Sequence, residues 1–168
     1  MYNFIFILGA QGSGKTTLAR ILKEKLDLSV HIDFDWIRDF HLNKKWSNAN
    51  EKEEEMSLEN LKYLLKNYAK NDFKNIIASG FTENNFEEVL REFENRSIVI
   101  TLYLNDDKLL KQRVLTESRD SGFRDFEESI QFNTRLRDQL KYLNERKIDN
   151  TNQTPEETAD QVMRLLSG

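Results

Sequence analysis

Apolar residues along the chain fall into two alternating rhythms, short unbroken runs and longer stretches with helical spacing. Tyr2 to Leu8 is an apolar, aromatic and β-branched run that ends at Gly9, the pattern of a strand buried on both faces. Behind it, Lys15 to Leu26 sets Leu18, Ile21, Leu22 and Leu26 on one helical face. Val30 to Phe34 predicts a second strand, with Asp35 placed to cap a helix carrying Trp36, Ile37 and Phe40. The segment from Asn43 to Glu55 is polar and rich in Asn, Lys and Glu, which predicts an exposed, mobile connection. A third helix then runs from Leu58 through Leu61, Leu64, Leu65 and Tyr68, with Ser57 as its N-cap.

The alternation continues to the end. Asn75 to Gly80 predicts a third strand, Glu87 to Phe93 a helix, and Ser97 to Leu104 the plainest strand of the chain. Asn105 is placed to cap a helix with Leu109, Leu110 and Val114. After the Gly122 loop, Phe126, Ile130, Leu136, Leu140 and Leu143 predict one long helix. Lys147 to Asp149 predicts a short fifth strand. Thr154-Pro155-Glu156-Glu157 has the chemistry of a helix start: a capping hydroxyl, a proline whose missing N–H is not needed, and carboxylates at the positive end of the dipole. Strands and helices in strict alternation predict a three-layer α/β/α fold on a five-stranded parallel sheet, with ligands at the carboxyl ends of the strands.

The 168 residues fit a single domain, 1–168. A net charge of −4 provides no overall basic field for nucleic acid, so nucleic acid is not the expected partner. No run approaches the ~18 apolar residues of a membrane span. The first strand pattern also begins at Tyr2 without a charged leader, so no membrane partner and a cytoplasmic location are expected. The chain has no cysteine, which leaves carboxylates, hydroxyls and phosphate oxygens as metal ligands, a set that suits magnesium.

Between the first strand and the first helix, Gly9, Gly14, Lys15 and Thr16 fit G-x-x-x-x-G-K-[ST], the P-loop. The backbone N–H groups of Gln11, Gly12, Ser13 and Gly14 are expected to cradle phosphates, with Lys15 on the β- and γ-phosphates and Thr17 beside them. The Thr16 hydroxyl is then the magnesium ligand, and the implied nucleotide is ATP with Mg2+. A guanine-specific switch requires an N-K-x-D motif, which neither Asn43-Lys44-Lys45-Trp46 nor Lys70-Asn71-Asp72 supplies. A motor ATPase requires an apolar strand ending in an acidic pair, and the nearest candidate, Asn105-Asp106-Asp107, runs straight into a helix start. In HIDFDWIRD, by contrast, Asp33 and Asp35 lie two apart at a strand end and would point the same way. Two carboxylates there can divide the work, Asp33 near the metal and Asp35 taking a proton from an acceptor hydroxyl. His31 reads as an ordinary strand residue.

With the P-loop, the D-x-D of Asp33 and Asp35 and the strand ending Ala78-Ser79-Gly80, the chain resembles the small P-loop kinases typified by shikimate, gluconate and nucleoside or nucleotide kinases. The resemblance spans essentially the whole length. It implies the P-loop NTPase fold, transfer of the γ-phosphoryl group of ATP to a small-molecule acceptor, a magnesium role for Asp33 and an acceptor-hydroxyl role for Asp35. It further implies a mobile acceptor-binding segment about 36–72 and an arginine-bearing lid about 115–127, with Arg119 on the transferring phosphoryl and Arg124 and Arg113 as further lid arginines. The loop Asp149 to Pro155 resembles the stretch that packs on the adenine, which assigns Asn152 to the nucleotide.

For the acceptor, the resemblance points to Asp35, Arg38, Gly80, Phe81 and Arg124. Arg38, three residues past Asp35, sits one helical turn away and suits a phosphate or carboxylate. Trp36, Trp46, Phe81 and Phe86 are candidates to wall the pocket. Gly80 is followed by Phe81 rather than a second glycine, and Trp36-Ile37-Arg38-Asp39 lacks the Glu of the shikimate-kinase motif. A polynucleotide 5'-hydroxyl kinase and a non-catalytic nucleotide-binding regulator stay open as alternatives.

Overall fold

A computed structural model describes residues 3–40, 51–116, 122–139 and 141–167. Five strands form one all-parallel sheet, β1 (Phe4–Gly9), β2 (Ser29–Asp33), β3 (Asn75–Ser79), β4 (Ser97–Tyr103) and β5 (Glu145–Asp149), in the spatial order β2-β3-β1-β4-β5. β1 is central. Its register sets Phe4 against Ile76 on one side and Ser97 on the other. A parallel neighbour on each edge and helices above and below explain why β1 is apolar at every position.

The alternating side chains of β1 define the layers. Phe4, Phe6 and Leu8 join a cluster with Phe34 and Ile37 of α2 (Phe34–Asp39), Leu58, Leu61 and Leu65 of α3 (Glu51–Lys70), Phe86 and Val89 of α4 (Glu83–Phe93) and Leu136. Ile5 and Ile7 face the opposite way, onto Leu18 and Leu22 of α1 (Lys15–Lys25) and Ala159 and Val162 of α7 (Pro155–Ser167). A third cluster, of Ala10, Leu104, Leu110 and Val114, packs α5 (Asp107–Leu115) near the ends of β1 and β4. Phe126, Ile130 and Phe132 of α6 (Phe126–Asp138) lean on the same cluster. The three-layer, five-stranded parallel architecture expected from the alternation is the one found, and no helix among the described residues is long and apolar enough to cross a membrane.

Local capping chemistry corrects several boundaries. Asp33, not Asp35, caps α2: its carboxylate accepts the Asp35 N–H at 3.1 Å, and Asp35 lies in the first turn. The strand therefore ends one residue before Phe34, and the two residues lie on either side of a strand-to-helix turn, not along a strand. α3 is already helical at Glu51, where Glu51, Glu53 and Glu54 favour the positive dipole end. Ser57 is thus interior and donates back to the Glu53 carbonyl at 2.9 Å. α4 starts at Glu83, one helical turn before Glu87. Asp106, not Asn105, caps α5 by accepting the N–H groups of Lys108 and Leu109 at 2.9 and 3.0 Å. Asn105 instead ties β4 to the loop after β5 through Asp149 Oδ2 and Thr151 Oγ1.

The long helix expected to reach Leu143 stops at Asp138. Lys147 Nζ donates to the carbonyls of Leu136 and Arg137 there, a positive charge against the negative helix end, and Leu143 is exposed. The start of α7 is as expected: Thr154 Oγ1 accepts the Glu157 N–H at 3.2 Å while the Glu157 carboxylate accepts the Thr154 N–H at 2.8 Å.

Candidate functional site

The carboxyl ends of the strands divide into two cavities with the turn Ala10–Gly14 between them. On the β4 and β5 side a cavity of about 280 Å³ is lined by Gly12, Ser13, Gly14, Thr17, Leu102, Arg113, Asn150, Gln153, Pro155 and Thr158. On the β2 and β3 side a larger one of about 560 Å³ is lined by Gly9, Gln11, Lys15, Asp35, Arg38, Gly80, Phe81, Thr82, Glu83, Asn84, Phe123, Glu128, Phe132 and Arg135. Lys15 opens onto the second and Thr17 onto the first.

The turn itself is built tightly. A Cβ on Gly9 would lie 2.3 Å from Ser13 Oγ, so only glycine allows the turn to fold back over the end of β1. Ala10 O accepts both the Ser13 N–H at 3.1 Å and Lys15 Nζ at 2.9 Å, which holds the lysine along the turn. Ser13 is fully buried, and its hydroxyl has no hydrogen-bond partner among the described residues. The first turn of α1 carries no acidic residue, and its N-cap, Gly14, supplies no side-chain cap. The positive end of the α1 dipole at this turn favours an anion. Thr16 is half-buried there.

Asn150, at the end of β5, fixes the far wall of the first cavity. Its Nδ2 donates to Ser13 O at 2.6 Å, so the loop after β5 is tied to the phosphate turn across the floor of the cavity. The residue is buried. Of the loop assigned to the nucleotide, Asn150, Gln153 and Pro155 line the cavity, whereas Asn152 is exposed and does not. Arg113 also lines it from α5, where burial lowers its pKa from the usual arginine value. Expected as a lid arginine, it stands on the wall of the smaller cavity within α5.

On the other side, Asp33 and Asp35 have different surroundings. Asp33 is buried, and its second carboxylate oxygen lies 3.4 Å from Ser79 Oγ. The same hydroxyl lies 2.9 Å from His31 Nε2, so the end of β3 braces the Asp33 carboxylate through a serine. Burial lowers the pKa of His31 against an opposing contribution from Asp33, which favours the neutral ring. Gly80 follows at φ +85°, and a Cβ there would lie 2.3 Å from Asp33 Oδ1. Glycine is required at that position on both counts.

Asp35 lines the cavity itself. Burial, and then the neighbouring charge of Asp33, push its pKa from 3.8 up to about 6, against the opposing pull of Arg38 and Lys15. Arg38 is buried, 3.6 Å from the Asp35 carboxylate and bound on its other side to Glu54. Lys15, Asp35, Arg38, Gly80 and Phe81, read from separate parts of the sequence, therefore share one cavity wall.

Other expected site residues lie elsewhere. Arg124 is exposed, donates to the Phe123 carbonyl at 2.8 Å and does not line the cavity. Trp36 is half-exposed beside His31, and Phe86 is core packing against Phe6 and Phe81. Arg119 and Trp46 lie outside the described residues. Glu83, Asn84, Glu128, Phe132 and Arg135 were not anticipated as cavity residues. The helical pattern of α6 places Phe132 and Arg135 together, but only the sheet order brings them opposite Asp35. Among the described residues no group of three or more His, Asp and Glu side chains could by itself hold a metal ion. Asp106 at the end of β4 is occupied in capping α5, so it does not form a metal-facing acidic pair with Asp107.

Solved structures share this fold. An unliganded sugar kinase from Janibacter sp. HTCC2649 superposes with a TM-score of 0.70 at 19% identity, covering 99% of this chain and 95% of that one. Shikimate kinase from Acinetobacter baumannii in complex with shikimate gives 0.64 at 24% identity, covering 99% and 94%. The tunicamycin resistance protein of Deinococcus radiodurans gives 0.70 at 17% identity, covering 99% and 96%. At these identities the likeness is one of fold, the fold of the small P-loop kinases. No curated protein matches the sequence. Residues 5–133, from β1 through most of α6, match the AAA domain family, and the chain belongs to that family.

Proposed function

We propose that the protein is an ATP-dependent phosphotransferase that moves the γ-phosphoryl group to a hydroxyl of a small molecule. One observation carries this reading: two cavities meet at a single phosphate turn, with Lys15 and a carboxylate of raised pKa, Asp35, lining the second. A nucleotidase needs only the first cavity and a water. A transferase needs a second site whose base faces the end of the phosphate chain.

The residues fit the nucleotide and its ion. The glycine-built turn, the uncapped start of α1 and the unpartnered Ser13 hydroxyl form a cradle for phosphate oxygens. The Thr16 hydroxyl and the Asp33 carboxylate are oxygen donors of the kind Mg2+ takes, and these two residues would hold it. Bound together, nucleotide and ion supply the phosphoryl group and neutralise part of its charge. Arg113, Asn150 and Gln153 would hold the base and sugar in the smaller cavity.

Lys15 neutralises charge on the transferring phosphoryl from the turn, a position fixed by its bond to Ala10 O. Asp35 accepts the proton of the acceptor hydroxyl. A carboxylate titrating near 6 is ionised at neutral pH yet basic enough to take a proton as the hydroxyl attacks. Arg38 orients it, and Glu54 orients Arg38. Arg119 would close over the phosphoryl, and the surroundings of 36–72 would enclose the acceptor. The structural likeness to sugar and shikimate kinases supports the same class of reaction.

The test is acceptor-dependent ADP release from Mg-ATP across nucleosides, sugars, sugar acids, shikimate, aminoglycosides and 5'-hydroxyl oligonucleotides. Release that requires one acceptor and falls at least ~100-fold in Lys15→Ala supports the proposal. Tight ATP binding with no acceptor-stimulated release overturns it in favour of a regulator.

A further inference from the structure

We propose that the cavity beside Asp35 selects acceptors without an anionic group, uncharged or cationic hydroxylated molecules with a flat apolar face, and rejects phosphorylated and carboxylated ones. The inference rests on reading that cavity as the acceptor half of a phosphotransferase, and it names the substrate class.

The helix starts around the site differ in a consistent way. α1, whose N-terminus faces the phosphate turn, has no acidic residue in its first turn. α4 opens with Glu83 and α6 with Glu127 and Glu128, and Glu83 and Glu128 both line the acceptor cavity. A carboxylate in the first turn takes up the favourable field that an anionic ligand would otherwise use. Among the described helices, α1 alone starts without a carboxylate in its first turn.

The guanidinium groups in the cavity are likewise engaged by carboxylates. Arg38 lies between Asp35 and Glu54, and Arg135 Nε contacts Glu83 Oε2 at 3.3 Å. Away from Lys15, the described wall sets Arg38 and Arg135 against Asp35, Glu83 and Glu128, with Glu54 behind Arg38. A phosphate or carboxylate entering here must share a guanidinium with a resident carboxylate and sit beside it, and like charges placed together are strongly disfavoured. The Arg38 expected to hold an anionic acceptor is instead a strut for Asp35. What the wall offers is apolar surface from Phe81, Phe123 and Phe132, together with Thr82 and Asn84 for hydroxyls.

The experiment measures binding without turnover. Protein saturated with Mg-ADP is titrated calorimetrically with matched pairs: methyl shikimate against shikimate, glucose against gluconate, thymidine against thymidine 5'-monophosphate, with kanamycin as the cationic probe. The same titrations follow on the Glu83→Gln/Glu128→Gln double variant after its fold is verified by circular dichroism. In wild type, any pair that binds favours the uncharged member by about tenfold or more, and the double variant gains about tenfold for the anionic members. An anionic member binding more tightly than its uncharged partner overturns the proposal. So does a folded double variant whose affinity for the anions is unchanged. Correct preference without phosphoryl transfer would contradict the phosphotransferase reading alone, whereas transfer to an anionic acceptor would contradict only this one.

Discussion

Replacing Asp35 by Asn is expected to make the protein less active and more stable, and the size of the gain follows from its surroundings. The folded protein holds the Asp35 pKa at about 6 against 3.8 for the free side chain, chiefly because burial and the neighbouring Asp33 disfavour its charge. At ~1.4 kcal/mol per unit the full shift corresponds to about 3 kcal/mol. Its side chain is 33% exposed, so solvent screening reduces the expected effect to about 1–2 kcal/mol. The sign follows from proton uptake. Between 3.8 and about 6 the folded state keeps a proton that the unfolded chain has released, so wild-type stability is fully present below 3.8 and declines as pH rises through about 6. Asparagine carries no such penalty. Urea unfolding at about pH 8 should therefore find Asp35→Asn more stable by about 1–2 kcal/mol, and the gap should shrink toward about pH 4.5. Phosphoryl transfer by the same variant should fall by at least ~100-fold. A variant less stable than wild type at about pH 8, or a gap that does not change with pH, would refute the view that Asp35 is a strained, charged group held for chemistry.

Further outcomes follow from the same geometry. The acid limb of kcat/KM should have its midpoint near pH 6 in wild type and disappear in the residual activity of Asp35→Asn; a limb below about pH 4.5 would point to another base. Gly80→Ala should cost about 2 kcal/mol or more, measured by thermal or urea unfolding, because a Cβ at φ +85° is strained and meets Asp33 Oδ1. Unchanged stability would mean the end of β3 is not as close as described. Asn150→Ala cuts the tie to Ser13 O and should raise the KM for ATP by about tenfold with little change in kcat, and an effect on kcat alone would contradict its place in the nucleotide cavity.

Much of the fold was legible because the central strands β1 and β4 are predominantly apolar runs and the helices between strands repeat an apolar face. Phe4 and Phe6 against Ile5 and Ile7 already encode a strand with helices on both sides, and the phosphate turn is readable from a few residues whose spacing is dictated by phosphate geometry. The caps were harder to read. Asp33 and Asp35 are chemically equal candidates for one helix start, as are Asn105 and Asp106 for another, and the choice depends on which backbone N–H the turn brings within reach. The end of α6 was hidden because its last carbonyls are held by Lys147, a residue of β5.

The site was legible to the extent that its chemistry is local. Asp35 and Lys15 announce themselves by motif, whereas Glu83, Glu128 and Arg135 are ordinary surface charges until the order β2-β3-β1 places α4 and α6 over the same cavity. The charge on Arg38 was visible, and its neutralisation by Glu54 was not, since the two residues belong to different helices.

On the proposed reading, the phosphate turn serves two cavities and the terminal phosphoryl group passes from one to the other. The most direct measurement is the fate of label from [γ-33P]ATP in the presence of a bound hydroxylated acceptor, with products separated as organic phosphate and inorganic phosphate. Label is expected in the acceptor, and lost from it in both Lys15→Ala and Asp35→Asn. Label released only as inorganic phosphate, at a rate unaffected by Asp35→Asn, would contradict it and make the protein an ATPase.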